Sequence, residues 1–293
     1  MAEQEAIDRL ELGDHVCWSF DDDQRFLRSM SRYVMAGLRA RHRILYYGHA
    51  WPAEALLAAF ESHGVPTGDA VASGQLVVRS STETYLRTGE FDVASTIDAW
   101  PLEAQRARDA GWTGLRVVGD MAWAAGPGAA RIPGSERLVE YEGQVNQVFA
   151  HAEAMAVCLY DRRLYTSAEL ATVGSAHPGT LLDRGADEWS PLLRMRYTDD
   201  PLGVRLAGES DLSNRDALRT LLAGLDRRLP ADKGRRLVID VSALTFVDAA
   251  GALALADAVR GGSREAVLTG CSPALRRLLD MVAPGIPHSA VAN

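Results

Sequence analysis

Two short apolar runs, each closing on a carboxylate, constrain this chain more than any other feature. Leu115-Arg-Val-Val-Gly-Asp120, continuing through Met121 and Ala122 to Trp123, is answered by Ala156-Val-Cys158-Leu-Tyr160-Asp161. Runs of this kind suit parallel strands buried on both faces. Between them, Glu136–Phe149 sets Leu138, Tyr141, Val145 and Val148 or Phe149 at helical spacing. Strand, helix and strand together predict a right-handed crossover. In open sheets of this type ligands bind beyond the carboxyl ends of the strands, where Asp120 and Asp161 stand.

The same alternation runs through the larger part of the chain. Strands are expected at His15–Phe20, Ile44–Tyr47 and Leu76–Arg79. Helices are expected from Asp21–Asp23 to about Arg41, over Pro52–His63, over Phe91–Ala110 (in one piece or two, given Pro101), and over Ser167–Val173. The acidic stretch 182–190, ending at Pro191, reads as a linker. A smaller pattern follows it: a hairpin at Leu192–Leu206, a helix capped by Ser213, a strand at Leu237–Asp240 and a helix capped by Asp248. A last strand at Ala266–Thr269 precedes a helix opened by Ser272-Pro273. With 293 residues, two domains follow, 1–186 and 187–293, both α/β.

Charge and cysteine content narrow the function classes. Residues 1–189 carry 27 acids and 17 basic residues, whereas residues 190–293 carry 12 and 14. An acidic major domain argues against nucleic acid as partner. No apolar run reaches the length of a membrane span, and the start is acidic and polar, so neither a membrane span nor a signal peptide is expected. Three scattered cysteines suit a reducing cytoplasm.

Nucleotide hydrolysis in its usual form is excluded. No glycine-rich loop with lysine exists, and the single lysine, Lys233, lies in the C-terminal part. Gly126-Pro-Gly128 reads as a mobile loop. His15 and Cys17 share one strand face and offer nitrogen and sulfur donors. Without a CxxC or HxxxH pair to complete the set, neither a metal nor a cofactor is expected, and Cys17 and Cys158 read as small core hydrophobes. His177 reads as fixing the turn before Pro178. Tyr47, Trp123, Tyr160 and Trp18 are candidates for an aromatic ligand pocket. Asp120, Glu142 and Asp161 either form acid/base pairs or cap helices and pair with Arg116, Arg131, Arg162 or Arg163.

Two resemblances are carried by these residues. The region of about 12–185 resembles the MEDS domain of dichloromethane-response regulators, through His15-x-Cys17, Gly114–Trp123, Tyr141-Glu142…Asn146, Cys158–Asp161 and His177-Pro178. The resemblance implies a RecA/KaiC-like three-layer sandwich without nucleotide loops that senses small organic molecules. Asp120 stands where that family often has Glu.

The region of about 192–285 resembles the STAS domain of anti-sigma-factor antagonists. Leu206–Leu212, Leu237–Asp248, Gly251 and Ser272-Pro273 carry this similarity. It implies binding to a kinase-type anti-sigma factor, switched off by phosphorylation of a serine in an Asp-Ser-Ser-Gly stretch. Here that stretch is Asp248-Ala249-Ala250-Gly251, which has no acceptor hydroxyl.

The expected protein is therefore a cytoplasmic regulator that couples a small-molecule sensor to a STAS output and allows a homodimer. Its ligand site is expected at His15, Cys17, Tyr47, Asp120, Trp123, Glu142, Tyr160 and Asp161. Its partner surface is expected at Asp211, Asp248, Ala249, Ala250 and Gly251. The alternatives are an enzyme using Asp120, Glu142 or His15, with the STAS domain serving dimerisation, and a scaffold without ligand.

Overall fold

The computed structural model describes residues 7–126, 131–182, 192–228, 236–262 and 264–290. The expected boundary at 186/187, most of the linker around it, Pro127-Gly128 and Lys233 lie outside the described residues.

The first part of the chain runs β1 (His15–Phe20), α1 (Asp23–Arg39), β2 (His42–Gly48), α2 (Ala53–Ser62), α3 (Thr67–Ala72) and β3 (Leu76–Ser80). It continues with α4 (Val93–Asp109), β4 (Gly114–Asp120), α5 (Leu138–Phe149), β5 (Ala154–Asp161), α6 (Ser167–Ser175) and β6 (Gly179–Leu182). The six strands form one sheet, in the order β3-β2-β4-β5-β1-β6, and every pairing in it is parallel.

Strand parity sorts the side chains onto two faces. Val16, Trp18, Phe20, Val157 and Leu159 pack with Phe26, Met30 and Tyr33 of α1. Cys17, Ala156, Cys158 and Tyr160 pack with α4 and α5 on the other side. The result is the expected three-layer α/β sandwich. The side chains of Asp22 and Asp92 cap α1 and α4, and Thr166 with Glu169 forms a capping box on α6. Pro101 lies inside an unbroken α4. Sequence periodicity had shown neither α3 nor β6, which are six and four residues long.

The second part runs β7 (Leu193–Asp199), β8 (Leu202–Ser210), α7 (Arg215–Arg228), β9 (Leu237–Val247), α8 (Ala249–Gly261), β10 (Ala266–Cys271), α9 (Pro273–Val282) and β11 (His288–Ala290). Its sheet has the order β11-β10-β9-β8-β7. The β7–β8 hairpin is antiparallel and the remaining pairings are parallel. Leu206, Leu218, Leu221, Ile239, Leu255 and Leu268 lie at the centre of its core.

The two parts meet along α5 and α7, which approach closely because small residues face each other. A Cβ on Gly143 would sit 3.2 Å from the Thr220 hydroxyl, and one on Gly224 would clash with the Gln147 amide. The Gln147 side chain donates to the Thr220 carbonyl at 3.1 Å. Beside this seam the buried carboxylate of Asp14 accepts from Arg196 at 2.8 Å and from Arg194 at 3.2 Å. Two arginines of the near-neutral part thus neutralise an acid of the acidic part.

Candidate functional site

Beneath α5 lies a polar cluster inside an otherwise apolar core. β1 contributes His15, β5 contributes Cys158 and Tyr160, α5 contributes Glu142 and Asn146, and the turn after α6 contributes His177. Glu142 and Asn146, four residues apart, form a polar stripe within the apolar face of α5. His15 is 1% exposed, and Glu142 and His177 are fully buried. Burying a carboxylate is tolerated only when its oxygens are engaged, and both oxygens of Glu142 have polar atoms within reach. The Tyr160 hydroxyl donates to Oε1 of Glu142 at 2.6 Å. His15 Nε2 and His177 Nε2 stand 3.2 and 3.3 Å from Oε2.

The hydrogen-bond network fixes both imidazoles. Asn146 Nδ2 faces the carbonyls of Glu142, Gly143 and Ala176, so its Oδ1 must accept the 2.8 Å bond from His15 Nδ1. His177 Nδ1 donates to the Val173 carbonyl at 2.8 Å. Both rings therefore turn Nε2 toward Glu142 and Cys158. Burial, with His177 adding to it, lowers the pKa of His15 despite the adjacent carboxylate. Burial opposes ionisation of Glu142, but His177 and His15 outweigh it and hold the carboxyl below its ordinary range. Burial and the Glu142 charge push the thiol of Cys158 and the hydroxyl of Tyr160 up.

The other expected ligand residues are placed differently. Asp120 is a clasp: its carboxylate accepts from the backbone N–H groups of His49 and Ala50 at 2.8 Å and of Ala122 at 3.0 Å. Asp161 stands at the rim, where Arg163 binds it through two nitrogens. Burial opposes its charge, yet Arg163 lowers its pKa. Trp123 is buried and stacks with Tyr85 at 5.6 Å.

Tyr47 stacks on Trp100 at 5.6 Å. With Tyr85 these two line a cleft of about 240 Å³, bordered by Arg79, Glu83 and Glu103. Trp100 Nε1 donates to the Tyr141 hydroxyl at 2.9 Å, tying that cleft to α5. The eight residues expected to share one site thus divide. His15, Glu142 and Tyr160 belong to the buried cluster with Cys17 nearby on the same face, Tyr47 and Trp123 join an aromatic wall, and Asp120 and Asp161 close the strand ends.

The spacing in β1 pairs His15 with Cys17, but the thiol that meets its ring is Cys158, 3.3 Å from Nε2. His177 does more than fix a turn, and Asn146 orients a ring. The polar stripe at 142 and 146 is the signal that periodicity offered. His15 and Tyr160 stood among the expected ligand residues, but nothing local in the sequence assigns Cys158 and His177 to the same site.

At the tip of the second part, Asp248 caps α8 by accepting from the Gly251 N–H at 2.7 Å. Ala249 is exposed, Ala250 half-buried and Gly251 buried. Asp211 accepts from the N–H and hydroxyl of Ser213 at the entry to α7. Leu212, Phe246 and Leu253 are exposed in neighbouring stretches of sequence.

The architecture defines an α/β protein with a fully parallel six-stranded sheet joined to a smaller mixed sheet. Residues 14–178 match the family described as MEDS, the MEthanogen/methylotroph, DcmR Sensory domain, and the chain belongs to that family. Residues 193–283 match the family described as Mlab, STAS domain. The order is the one expected from the sequence.

Among solved structures the chain is similar to a KaiC-like protein from the hyperthermophilic archaeon Pyrococcus horikoshii OT3. The identity is 10% and the TM-score 0.41, over 67% of this chain and 78% of that one. It is also similar to the flagellar accessory protein FlaH from Methanocaldococcus jannaschii, at 10% identity and a TM-score of 0.43, over 69% of this chain and 92% of that one. No curated protein matches the chain. Among the described residues no helix is long and apolar enough to cross a membrane.

Proposed function

We propose that this protein is a regulator in which a small organic molecule, held by the MEDS domain, sets the state of the STAS domain. The observation that carries this reading is the position of α5. Its Tyr141 holds Trp100 of the aromatic cleft, its Glu142 anchors the buried cluster, and its Gln147 is bonded to α7 of the STAS domain. A ligand seated on Tyr47, Tyr85 and Trp100 would shift Tyr141, and α5 meets the output helix directly. The stacked aromatic walls, set within a charged rim, suit a small aromatic ligand. The output surface is the tip around Asp248, Ala249, Ala250 and Gly251, with Asp211 beside it, where an anti-sigma kinase would dock. Because Ala250 offers no hydroxyl, phosphorylation at that position cannot supply the charge that switches such a surface, and ligand occupancy takes over control.

The acid/base alternative has no comparable support. Asp120 is taken up by three backbone N–H groups, and Glu142 and His15 are sealed from solvent. The test is a tryptophan-fluorescence titration of the full chain with phenol, indole and dichloromethane. Saturable quenching by at least one of them, lost in Tyr47→Ala, supports the reading. No response to any of them, or a response that Tyr47→Ala leaves unchanged, contradicts the cleft. For the output surface, kinase-type anti-sigma factors are tested for binding to the parent and to Ala250→Ser. Phosphorylation of the serine with loss of binding supports a retained interface, and no binding by either form contradicts it.

A further inference from the structure

From the cluster beneath α5 we infer that this protein binds one zinc-type divalent cation through His15 Nε2, His177 Nε2, Glu142 Oε2 and Cys158 Sγ. These donors come from β1, the turn after α6, α5 and β5, and all four atoms lie within 4.8 Å of one another. Four of their six separations match the edges of a tetrahedral zinc site, and the other two stay within 4.8 Å. Ligands at about 2.0–2.3 Å from zinc sit roughly 3.3–3.6 Å from each other. The structure gives 3.2 Å from His15 to Glu142, 3.3 Å from His15 to Cys158, 3.3 Å from His177 to Glu142 and 3.6 Å from Cys158 to Glu142.

The surrounding bonds point the same way. Each imidazole has its Nδ1–H engaged, by Asn146 and by the Val173 carbonyl, which leaves a lone pair on each Nε2 aimed inward. Glu142 has one oxygen bonded to Tyr160 and the other turned to the centre. This is the outer shell that orients metal-binding histidines and carboxylates. Without a cation the arrangement is frustrated. The one thiol proton of Cys158 can reach His15 or Glu142 but not both, and His177 Nε2, fully buried, has no hydrogen-bond partner among the described residues. A cation resolves every one of these contacts at once. Two imidazoles, a thiolate and a carboxylate are the donor set of zinc more than of calcium or magnesium. The set supplies all four positions from the protein, so the cation braces β1, β5, α5 and the turn at His177 and has no open position for a reacting molecule. On binding, the Cys158 thiol releases its proton to solvent, so uptake weakens as pH falls. This inference is independent of the sensor reading.

The test uses the tag-free full chain. Dialysis against zinc chloride, then against metal-free buffer, should leave one zinc per chain by inductively coupled plasma mass spectrometry. Cobalt(II) chloride added to the metal-free chain should give the thiolate charge-transfer band and the intense visible bands of a tetrahedral centre. This arm needs no substitution and cannot be confounded by misfolding. Cys158→Ala should abolish the charge-transfer band, and His177→Ala should lower zinc retention at least tenfold, whereas Cys17→Ala should keep both signals. A folded parent chain, judged by far-UV circular dichroism, that retains no zinc and gives no cobalt bands would overturn the site. So would a thiolate band that survives Cys158→Ala and disappears in Cys17→Ala.

Discussion

The cores of the two sheets bury opposite kinds of residue. Under α5 the MEDS domain holds His15, Glu142, Asn146 and His177 out of water. The STAS core is apolar, with only Ser210 and Asn214 as buried polar residues among those described. Both parts use parallel strands and helices of ordinary length, so the contrast does not arise from the fold. Buried charge lowers stability unless it is fully paired, and a chain that keeps it in one core but not the other has placed its chemistry in the first. In the STAS domain the stretch proposed to meet a partner lies instead at the tip, where Ala249 is exposed and Asp248 and Ala250 are half-buried.

The largest test of this contrast is Glu142→Ala. It strips Tyr160 of its acceptor and removes the carboxylate that both histidines face, and should lower stability by about 3–5 kcal/mol in urea denaturation. A loss below about 1 kcal/mol would mean that the cluster is not a network. Asp14→Ala attacks the seam between the parts. It leaves Arg194 and Arg196 without their buried partner and should lower stability by about 2–4 kcal/mol, seen as a second unfolding transition when the parts separate. The comparison substitution is Asn214→Ala, at a buried polar residue of the STAS domain that also bonds across to Pro178 of the MEDS domain. It removes bonds to the carbonyls of Pro178 and Glu209 and to the Asp211 N–H and should lower stability by about 1–3 kcal/mol. If it proves as harmful as Glu142→Ala, the two cores do not differ in the way described.

How far each half was legible follows from the same contrast. The parallel sandwich was readable because buried strands and amphipathic helices print their period in the sequence. β1, β2, β4, β5 and α5 stand where periodicity places them. Four-residue β6 and three-residue β11 were not, since elements so short have too few residues to show a period. Glu142 was readable as a carboxylate on an apolar helix face. His15 and Tyr160 were readable as candidates beside it, but Cys158 and His177 were not, because Cys158 follows the pattern of a core strand and His177 sits before a proline as many turn residues do. Only the crossing of β1 and β5 under α5 brings them within reach of each other. Asp120 shows the converse: its place at a strand end suggested a ligand group, and the loop after β2 claimed its oxygens.

A smaller effect concerns pH. Half-buried His42 accepts from Arg116 Nε at 3.1 Å. Burial, then the Arg116 charge, moves its pKa down from 6.5 to about 4. Above pH 6.5 the ring is neutral in folded and unfolded chains alike, so its contribution is constant. Between 6.5 and about 4 only the unfolded chain takes up the proton, so stability falls as pH drops through that window. His42→Gln keeps an acceptor for Arg116 and should flatten this part of the pH profile; an unchanged slope would assign the loss to other groups.

The claim that joins the two regions is that α5 transmits between them. It is tested most directly by hydrogen exchange on the full chain carrying Trp100→Phe, which deletes the bond to Tyr141 and touches nothing in the STAS domain. If α5 couples the regions, amides of α7 around Thr220 exchange faster than in the parent, together with those around Tyr141. If exchange rises around Tyr141 alone and α7 keeps its parent protection, the two domains are neighbours without coupling.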